Sequence, residues 1–82
     1  MNKDDSRYTP IPCAIYSQYK LAIMHRQSLK LVWHDQAQTH IATVTPLDLQ
    51  TKQGQEFLIA RDQGGHELHI RLDYIHSQTR LG

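Results

Sequence analysis

The chain has 82 residues, 9 basic against 8 acidic, and a net charge of +1 with neutral histidines, which indicates one small domain. This balance gives no electrostatic footprint for nucleic acid or an anionic membrane, and no apolar run approaches the roughly 20 residues of a membrane helix. A single cysteine excludes an internal disulfide, and the N-terminus lacks the apolar core of a signal peptide. We therefore expect a cytoplasmic protein.

Residues 1–7 are polar and charged, which predicts a flexible N-terminal arm. Pro10 and Pro12 keep the following stretch extended, because proline restricts its own φ and the residue before it. From Cys13 onward apolar residues recur at helical spacing, and His25 closes the helix where the last carbonyls favour cations. A helix of roughly three turns is marginal alone in water, so its apolar stripe must pack on the rest of the chain. The stripe comprises Ile15, Tyr16, Tyr19, Ala22 and Ile23.

The remaining sequence predicts five short β-strands from its alternating or β-branched runs. Pro46 predicts either the end of the second strand or an edge position, and residues 47–55 form the longest predicted connection. The third run is continuously apolar, which indicates burial on both faces. Gly64 and Gly65 predict a tight turn before the fourth strand, and Asp73 a corner before the fifth. The predicted strands are residues 28–34, 39–45, 56–61, 66–72 and 74–78.

One helix followed by five short strands indicates a mainly β domain. Five strands are enough for a small, strongly bent antiparallel sheet that curls into a partly open barrel. We expect residues 8–78 to form this single domain and residues 79–82 to be a C-terminal tail.

Cys13 invites interpretation as a nucleophile, because a thiolate near a helix N-terminus has a lowered pKa. No recognisable Cys–His–Asp order accompanies it, so a small, half-buried structural residue is the favoured interpretation. There is also no Gly-rich phosphate loop and no GxSxG motif. We expect no enzymatic activity and no cofactor.

The six histidines invite a metal hypothesis. His66 and His69 fall on opposite faces of one strand because they are an odd number of residues apart, whereas His34 and His40 are placed to approach across the first hairpin. Neither arrangement has the ligand spacing of a zinc site. Solvated surface histidines are the favoured interpretation, with no metal bound.

RNA binding is an alternative function, because small barrels stack bases on exposed aromatic residues among basic neighbours. The strand register points Lys30, Lys52, Arg61 and Arg71 outward. Acidic residues are interleaved with them, so an ordinary mixed-charge surface is favoured, and RNA binding rests on fold analogy alone. The interleaved acids are Asp48, Glu56, Asp62, Glu67 and Asp73.

Two further patterns are defined by residues at fixed offsets. The first is Tyr8-x-Pro10-Ile11-x-Cys13-x-x-Tyr16, followed by Leu21-Ala22 and His25; the second is Glu67-Leu68, then Arg71-Leu72-Asp73 and Ile75. Together they resemble the Rof (YaeO) family, small bacterial inhibitors of the transcription termination factor Rho. The resemblance spans residues 8–77 and implies the Sm-like form of the barrel, with the helix packed over one open end or face.

The resemblance also implies a function. Members of the family bind the N-terminal RNA-binding domain of Rho and compete with RNA at its primary site, which reduces termination. The start of the helix and the loop between the second and third strands make the contact. Carried over by position, the contacting residues are Tyr16, Ser17 and Gln18 on the helix and Thr51, Lys52 and Gln53 in the loop.

The helix start departs from the family pattern, which is acidic around the tyrosine. This chain has Ala14, Ile15, Ser17 and Lys20 there, and the missing negative charge predicts weaker steering toward a basic partner. Tyr16 lies at the edge of the apolar stripe, so a packing role and a contact role both stay open. A binding domain for another cytoplasmic protein is the third alternative. The oligomeric state is also open, with a monomer expected.

Overall fold

A computed structural model describes residues 8–81, so the predicted arm 1–7 and the last residue of the predicted tail lie outside the described part. One α-helix precedes five antiparallel strands, as predicted. A short 3-10 turn joins the fourth strand to the fifth. The elements are α1 (Cys13–His25), β1 (Leu29–His34), β2 (Thr39–Lys52), β3 (Gln55–Asp62), β4 (Glu67–Arg71), the 3-10 turn (Leu72–Tyr74) and β5 (Ile75–Arg80).

The strands form one sheet in the order β4-β3-β2-β1-β5. The first half of β2 pairs with β1 and its second half pairs with β3, with Val44 shared by both ladders. The domain is mainly β and its sheet is barrel-like, as the strand count predicts. This architecture is consistent with the Sm-like form that the family resemblance implies. No helix in residues 8–81 is long and apolar enough to cross a membrane.

The prediction that β2 ends at Pro46 is wrong. The strand runs on to Lys52, and a register shift between Pro46 and Asp48 leaves one extra residue on β2. Such a bulge bends the strand and accommodates a residue that cannot donate a ladder hydrogen bond. A tight turn at Gln53 and Gly54, with φ of 52° and 78°, therefore replaces the long connection predicted for residues 47–55.

The core lies between α1 and the sheet, and the predicted helical stripe faces it. Tyr19 and Ala22 are buried, while the other stripe residues pack against the core at its margin. The helix ends at His25 because Arg26 adopts a left-handed conformation with φ of 53°. In the continuously apolar run of β3, Leu58, Ile59 and Ala60 are buried as predicted, whereas Phe57 is half-buried. The sheet contributes Leu29, Leu31, Val44, Leu58, Ala60 and Ile70 to the core, and the 3-10 turn contributes Leu72.

Two further predictions need correction. Arg71 does not point outward, because it is 8 % exposed and pairs with Asp73 in the adjoining 3-10 turn. Lys30, Lys52 and Arg61 are exposed, as the register predicts. In addition, β5 continues to Arg80 in register with β1, so residues 79–80 belong to the sheet and not to a tail.

Candidate partner-binding groove

A shallow groove of about 460 Å³ lies between three distant parts of the chain. These are residues 8–12, which we call the N-terminal strap, the first turns of α1, and the β2–β3 turn. Tyr8 and Ile11 of the strap, Cys13 and Tyr16 of the helix, and Thr51 and Glu56 of the strands line it.

The strap and the helix start take their geometry from two prolines. Pro12 is extended, with φ of −59° and ψ of 145°, and it is the residue immediately before the helix. Its carbonyl accepts hydrogen bonds from the amides of Ile15 (3.0 Å) and Tyr16 (3.1 Å). Within residues 8–81 no side chain caps the helix, and no acidic residue lies in its first turn. The groove therefore meets the helix at its positive end, where the first turn of α1 supplies no carboxylate.

Tyr8 forms the outer wall of the groove. Its hydroxyl donates a hydrogen bond to Glu56 Oε1 over 3.4 Å. Burial raises the pKa of Tyr8 to about 12, and the negative charges of Glu56 and Asp73 add to the effect. Tyr8 is therefore a neutral hydrogen-bond donor at physiological pH.

A buried ion pair lies behind this wall. Arg71 donates to both carboxylate oxygens of Asp73, from Nε over 3.0 Å and from Nη2 over 2.7 Å. The same carboxylate accepts the amide of Thr9 in the strap over 2.9 Å. The guanidinium also lies 4.3 Å from the ring centroid of Tyr74 and 5.8 Å from that of Tyr8. Hydrogen bonding to Asp73 raises the pKa of Arg71 above its ordinary value.

Of the six residues predicted to contact a partner, the fold brings Tyr16 and Thr51 into the groove itself. Tyr16 is half-buried, and the ammonium of Lys20 lies 5.1 Å from its ring centroid. Lys52, at the end of β2, lies 5.9 Å from the ring centroid of Phe57, and Gln53 is in the turn with positive φ.

The other two predicted contact residues of α1 lie outside the groove. Ser17 and Gln18 are exposed, and Gln18 accepts a hydrogen bond from Gln78 over 3.4 Å. Gln18 lines a second cavity of about 300 Å³ between the far half of α1, β1 and β5. The three predicted contact residues of the helix, Tyr16 to Gln18, therefore do not share one face of α1, because consecutive helical residues are about 100° apart.

Sequence reasoning assigned no contact role to Tyr8, Ile11 or Glu56. A signal was present for the strap, since Tyr8 and Ile11 belong to the first fixed-offset pattern. No local signal marks Glu56, because it reaches the groove only through the tight β2–β3 turn, in register with Thr51.

Cys13 is exposed at the groove, whereas the sequence predicted a half-buried residue. It directly follows Pro12 at the helix start, outside the stripe that packs on the sheet. Within residues 8–81 its side chain makes no hydrogen bond or ion pair, so no base contacts its thiol.

The histidines pair differently from the predicted hairpin contact. His40 lies opposite Trp33 in the register and stacks on it, with ring centroids 5.2 Å apart, and it binds Asp35 over 2.7 Å. His34 contacts His76 instead, with Nδ1 and Nε2 2.7 Å apart. Residues 8–81 contain no cluster of three or more potential metal ligands from His, Cys, Asp and Glu.

No family model and no curated protein sequence matches the chain. Among solved structures, the chain is similar to the proteasome accessory factor B/C (PafBC) of Arthrobacter aurescens, with a TM-score of 0.77 and 20 % sequence identity. The match covers 94 % of this chain but 13 % of that chain. At this identity the likeness shows the fold alone, so the link to Rof proteins rests on the fixed-offset residues.

Proposed function

We propose that the protein is a non-enzymatic inhibitor that docks on the N-terminal RNA-binding domain of Rho and excludes RNA from the primary site. The observation that carries this proposal is that Tyr16 and Thr51, implied as contacts from two distant sequence segments, line one groove. The partner's identity is taken from the resemblance to the Rof family, whose pattern begins in the strap.

The groove has chemistry suited to a surface that binds RNA bases and phosphates. Tyr8 and Tyr16 offer aromatic rings with polar hydroxyls, which suit surfaces that are partly apolar and partly wet. Glu56 offers a carboxylate to a basic partner. That carboxylate takes over, in part, the role of the acids that are missing from the helix start.

One copy of the chain supplies every wall of the groove, so a monomer is sufficient for this function. The mechanism is competition and needs neither a cofactor nor a metal. Because Rho acts on nascent RNA, the proposal puts the protein in the bacterial cytoplasm.

RNA binding is the second candidate. Two pairs favour it, Lys20 at the ring of Tyr16 and Lys52 at the ring of Phe57, since an aromatic ring beside a cation is a platform for a base and its phosphate. The two candidates differ in one observable, namely whether the protein binds RNA when Rho is absent.

A competition assay tests both candidates. Labelled cytosine-rich RNA is bound to the N-terminal domain of Rho from the same organism, and the protein is titrated in. We expect displacement of the RNA, and no binding of that RNA by the protein alone. Failure to displace RNA at large molar excess would contradict the proposal, and RNA binding by the protein alone would favour the alternative. Gln63→Ala, in the exposed β3–β4 turn outside the groove, is the matched control and should displace RNA normally.

A further inference from the structure

Asp73 fastens the N-terminal strap to the barrel. Its side chain is 8 % exposed, and one of its oxygens accepts both the Thr9 amide (2.9 Å) and Arg71 Nη2 (2.7 Å). The hydrogen bond to Thr9 spans 64 positions of sequence. It therefore links the two fixed-offset patterns, since Thr9 lies in the first and Asp73 in the second.

The carboxylate has little freedom to leave this geometry. Arg71 holds both of its oxygens in a bidentate arrangement, which fixes orientation as well as distance. The guanidinium is held in turn by the hydroxyl of Tyr74, which accepts from Nη1 over 3.0 Å. Asp73 is thus a pre-oriented acceptor for the amide of the strap.

The docked strap sets one wall of the groove. Tyr8 directly precedes Thr9, and its hydroxyl reaches Glu56 across the groove. Arg71 and Asp73 do not line the groove, and they are connected to it through the Thr9 amide and the ring of Tyr8.

We propose that Asp73, held by Arg71, is a positioning residue for the groove: it binds the Thr9 amide and thereby places Tyr8 as the outer wall. Where it concerns affinity for Rho, this inference rests on the function proposed above.

Replacing Thr9 by proline tests the inference by removing the donor of the hydrogen bond to Asp73. Thr9→Pro deletes the N–H donor, while the side chain it replaces is exposed. Thr9 already precedes Pro10, so its backbone is restricted to the extended region that proline also accepts. Thr9→Ala keeps the donor and is the matched control.

The first readout is the ionisation of Tyr8, followed by NMR of its labelled ring carbon. In the native chain Tyr8 should ionise with a pKa of about 12. In Thr9→Pro the undocked strap should bring that value toward the ordinary value of about 10, because burial is lost, and Thr9→Ala should remain native-like. An unchanged Tyr8 titration in Thr9→Pro would overturn the inference, whether or not Rho is the partner.

The second readout is displacement of RNA from the Rho domain. Thr9→Pro should bind about tenfold more weakly or worse, and Thr9→Ala should bind normally. A shifted Tyr8 titration with unchanged binding would overturn the positioning role and leave the proposed function intact. If the native chain itself fails to displace RNA, the proposed function fails, and the Tyr8 titration still decides whether Asp73 holds the strap.

A second variant tests the inference if Thr9→Pro does not fold. The double variant Arg71→Met/Asp73→Leu replaces the buried pair by apolar side chains, which buried pairs often tolerate, and it removes the acceptor instead of the donor. It should lose displacement as Thr9→Pro does, and the pKa of Tyr8 should fall at least as far as in Thr9→Pro, because the negative charge of Asp73 is removed together with the burial. A native-like Tyr8 titration in this variant would overturn the inference.

Discussion

At the scale of single residues, the two tyrosines of the helical stripe have different surroundings. Tyr19 is 1 % exposed, and its hydroxyl donates to Gln78 over 3.1 Å. Tyr16 is half-buried, contacts the core from its margin and lines the groove. A side chain that is partly in the core and partly at a surface contributes to both stability and binding, and the pair allows the two contributions to be separated.

We predict that Tyr16→Ala weakens binding to the Rho domain more than it destabilises the fold. Truncating a fully buried large aromatic residue costs about 3–5 kcal/mol of unfolding free energy, which is the cost we expect for Tyr19→Ala. Tyr16→Ala should cost about half as much or less, because its ring keeps contact with solvent. Denaturant unfolding and the competition assay measure the two effects. If Tyr16→Ala unfolds like Tyr19→Ala and its folded fraction displaces RNA normally, Tyr16 is a core residue.

Asp35 organises the β1–β2 hairpin. It accepts the amides of Ala37 (2.8 Å) and Gln38 (3.0 Å) and pairs with His40. The hydrogen bond from His40 is the largest of these influences, and together they lower the pKa of Asp35 to about 2. The pKa of Asp35 is lower in the folded chain than in the unfolded chain. The stabilisation that its hydrogen bonds provide is therefore present above about pH 4 and is lost as the pH falls toward about 2.

The lowered pKa of Asp35 predicts how the stability of the protein depends on pH. Asp35→Ala should have a lower melting temperature than the native chain near neutral pH, and the difference should vanish as the pH falls from about 4 to about 2. Thermal unfolding across that range measures it. Gln36→Ala, in the same loop, should follow the native curve throughout. A constant offset between Asp35→Ala and the native chain at every pH would show that the carboxylate does not carry the effect.

Arg71 shows where residue-scale reasoning from sequence fails. Strict alternation along β4 predicts an outward side chain, yet Arg71 is buried. The partner that makes burial acceptable, Asp73, is two residues further on, in a 3-10 turn that ends the alternation. A period-2 pattern contains no information about such a turn, although the sequence did predict a corner at Asp73.

At the scale of elements, the parts with strong periodicity were predictable. The helix, with its inward stripe, and the alternation of β1 follow from the spacing of apolar residues. The second strand was not predictable, because a proline normally ends a strand and only tertiary pairing shows that Pro46 sits at a bulge. The groove was predictable only in part, because it forms where the strap, the helix and the β2–β3 turn meet. The sequence predicts a long connection in place of that tight turn.

The two glycine turns at the ends of β3 provide a matched test of this groove. Gly54 and Gly65 have φ of 78° and 86°, and an added Cβ would meet nothing within 4 Å at either position. Alanine at each should therefore destabilise the fold by a similar amount, about 1–2 kcal/mol, through the left-handed backbone alone.

Only Gly54 lines the groove, so only Gly54→Ala should also weaken displacement of RNA from Rho. Denaturant unfolding measures whether the two variants lose the same free energy of unfolding. The competition assay measures whether only Gly54→Ala loses affinity for the Rho domain. Equal binding losses in the two variants would mean that the β2–β3 turn does not contact the partner.

At the scale of the whole molecule, charge is the property that separates this protein from the RNA it is proposed to displace. Its 9 basic and 8 acidic residues nearly cancel, and the first turn of α1 carries no acid. RNA, in contrast, binds basic sites with the release of condensed counterions, so its affinity falls steeply as salt rises. Two competitors for one site should then respond differently to ionic strength.

We predict that the affinity of the Rho domain for this protein changes much less than its affinity for RNA between about 50 and about 200 mM salt. Calorimetric titration of each ligand gives the slope of log affinity against log salt. The slope for the protein should be shallow, and it should become shallower still in Glu56→Gln, which removes the one carboxylate among residues 8–81 that lines the groove. The amount of protein needed for half-displacement of RNA should therefore fall as salt rises, because only its competitor is weakened. If log affinity for the protein falls with log salt as steeply as that for RNA, binding proceeds through many ion pairs. The part of the groove formed by residues 8–81 has tyrosine rings and one carboxylate, so it does not supply them.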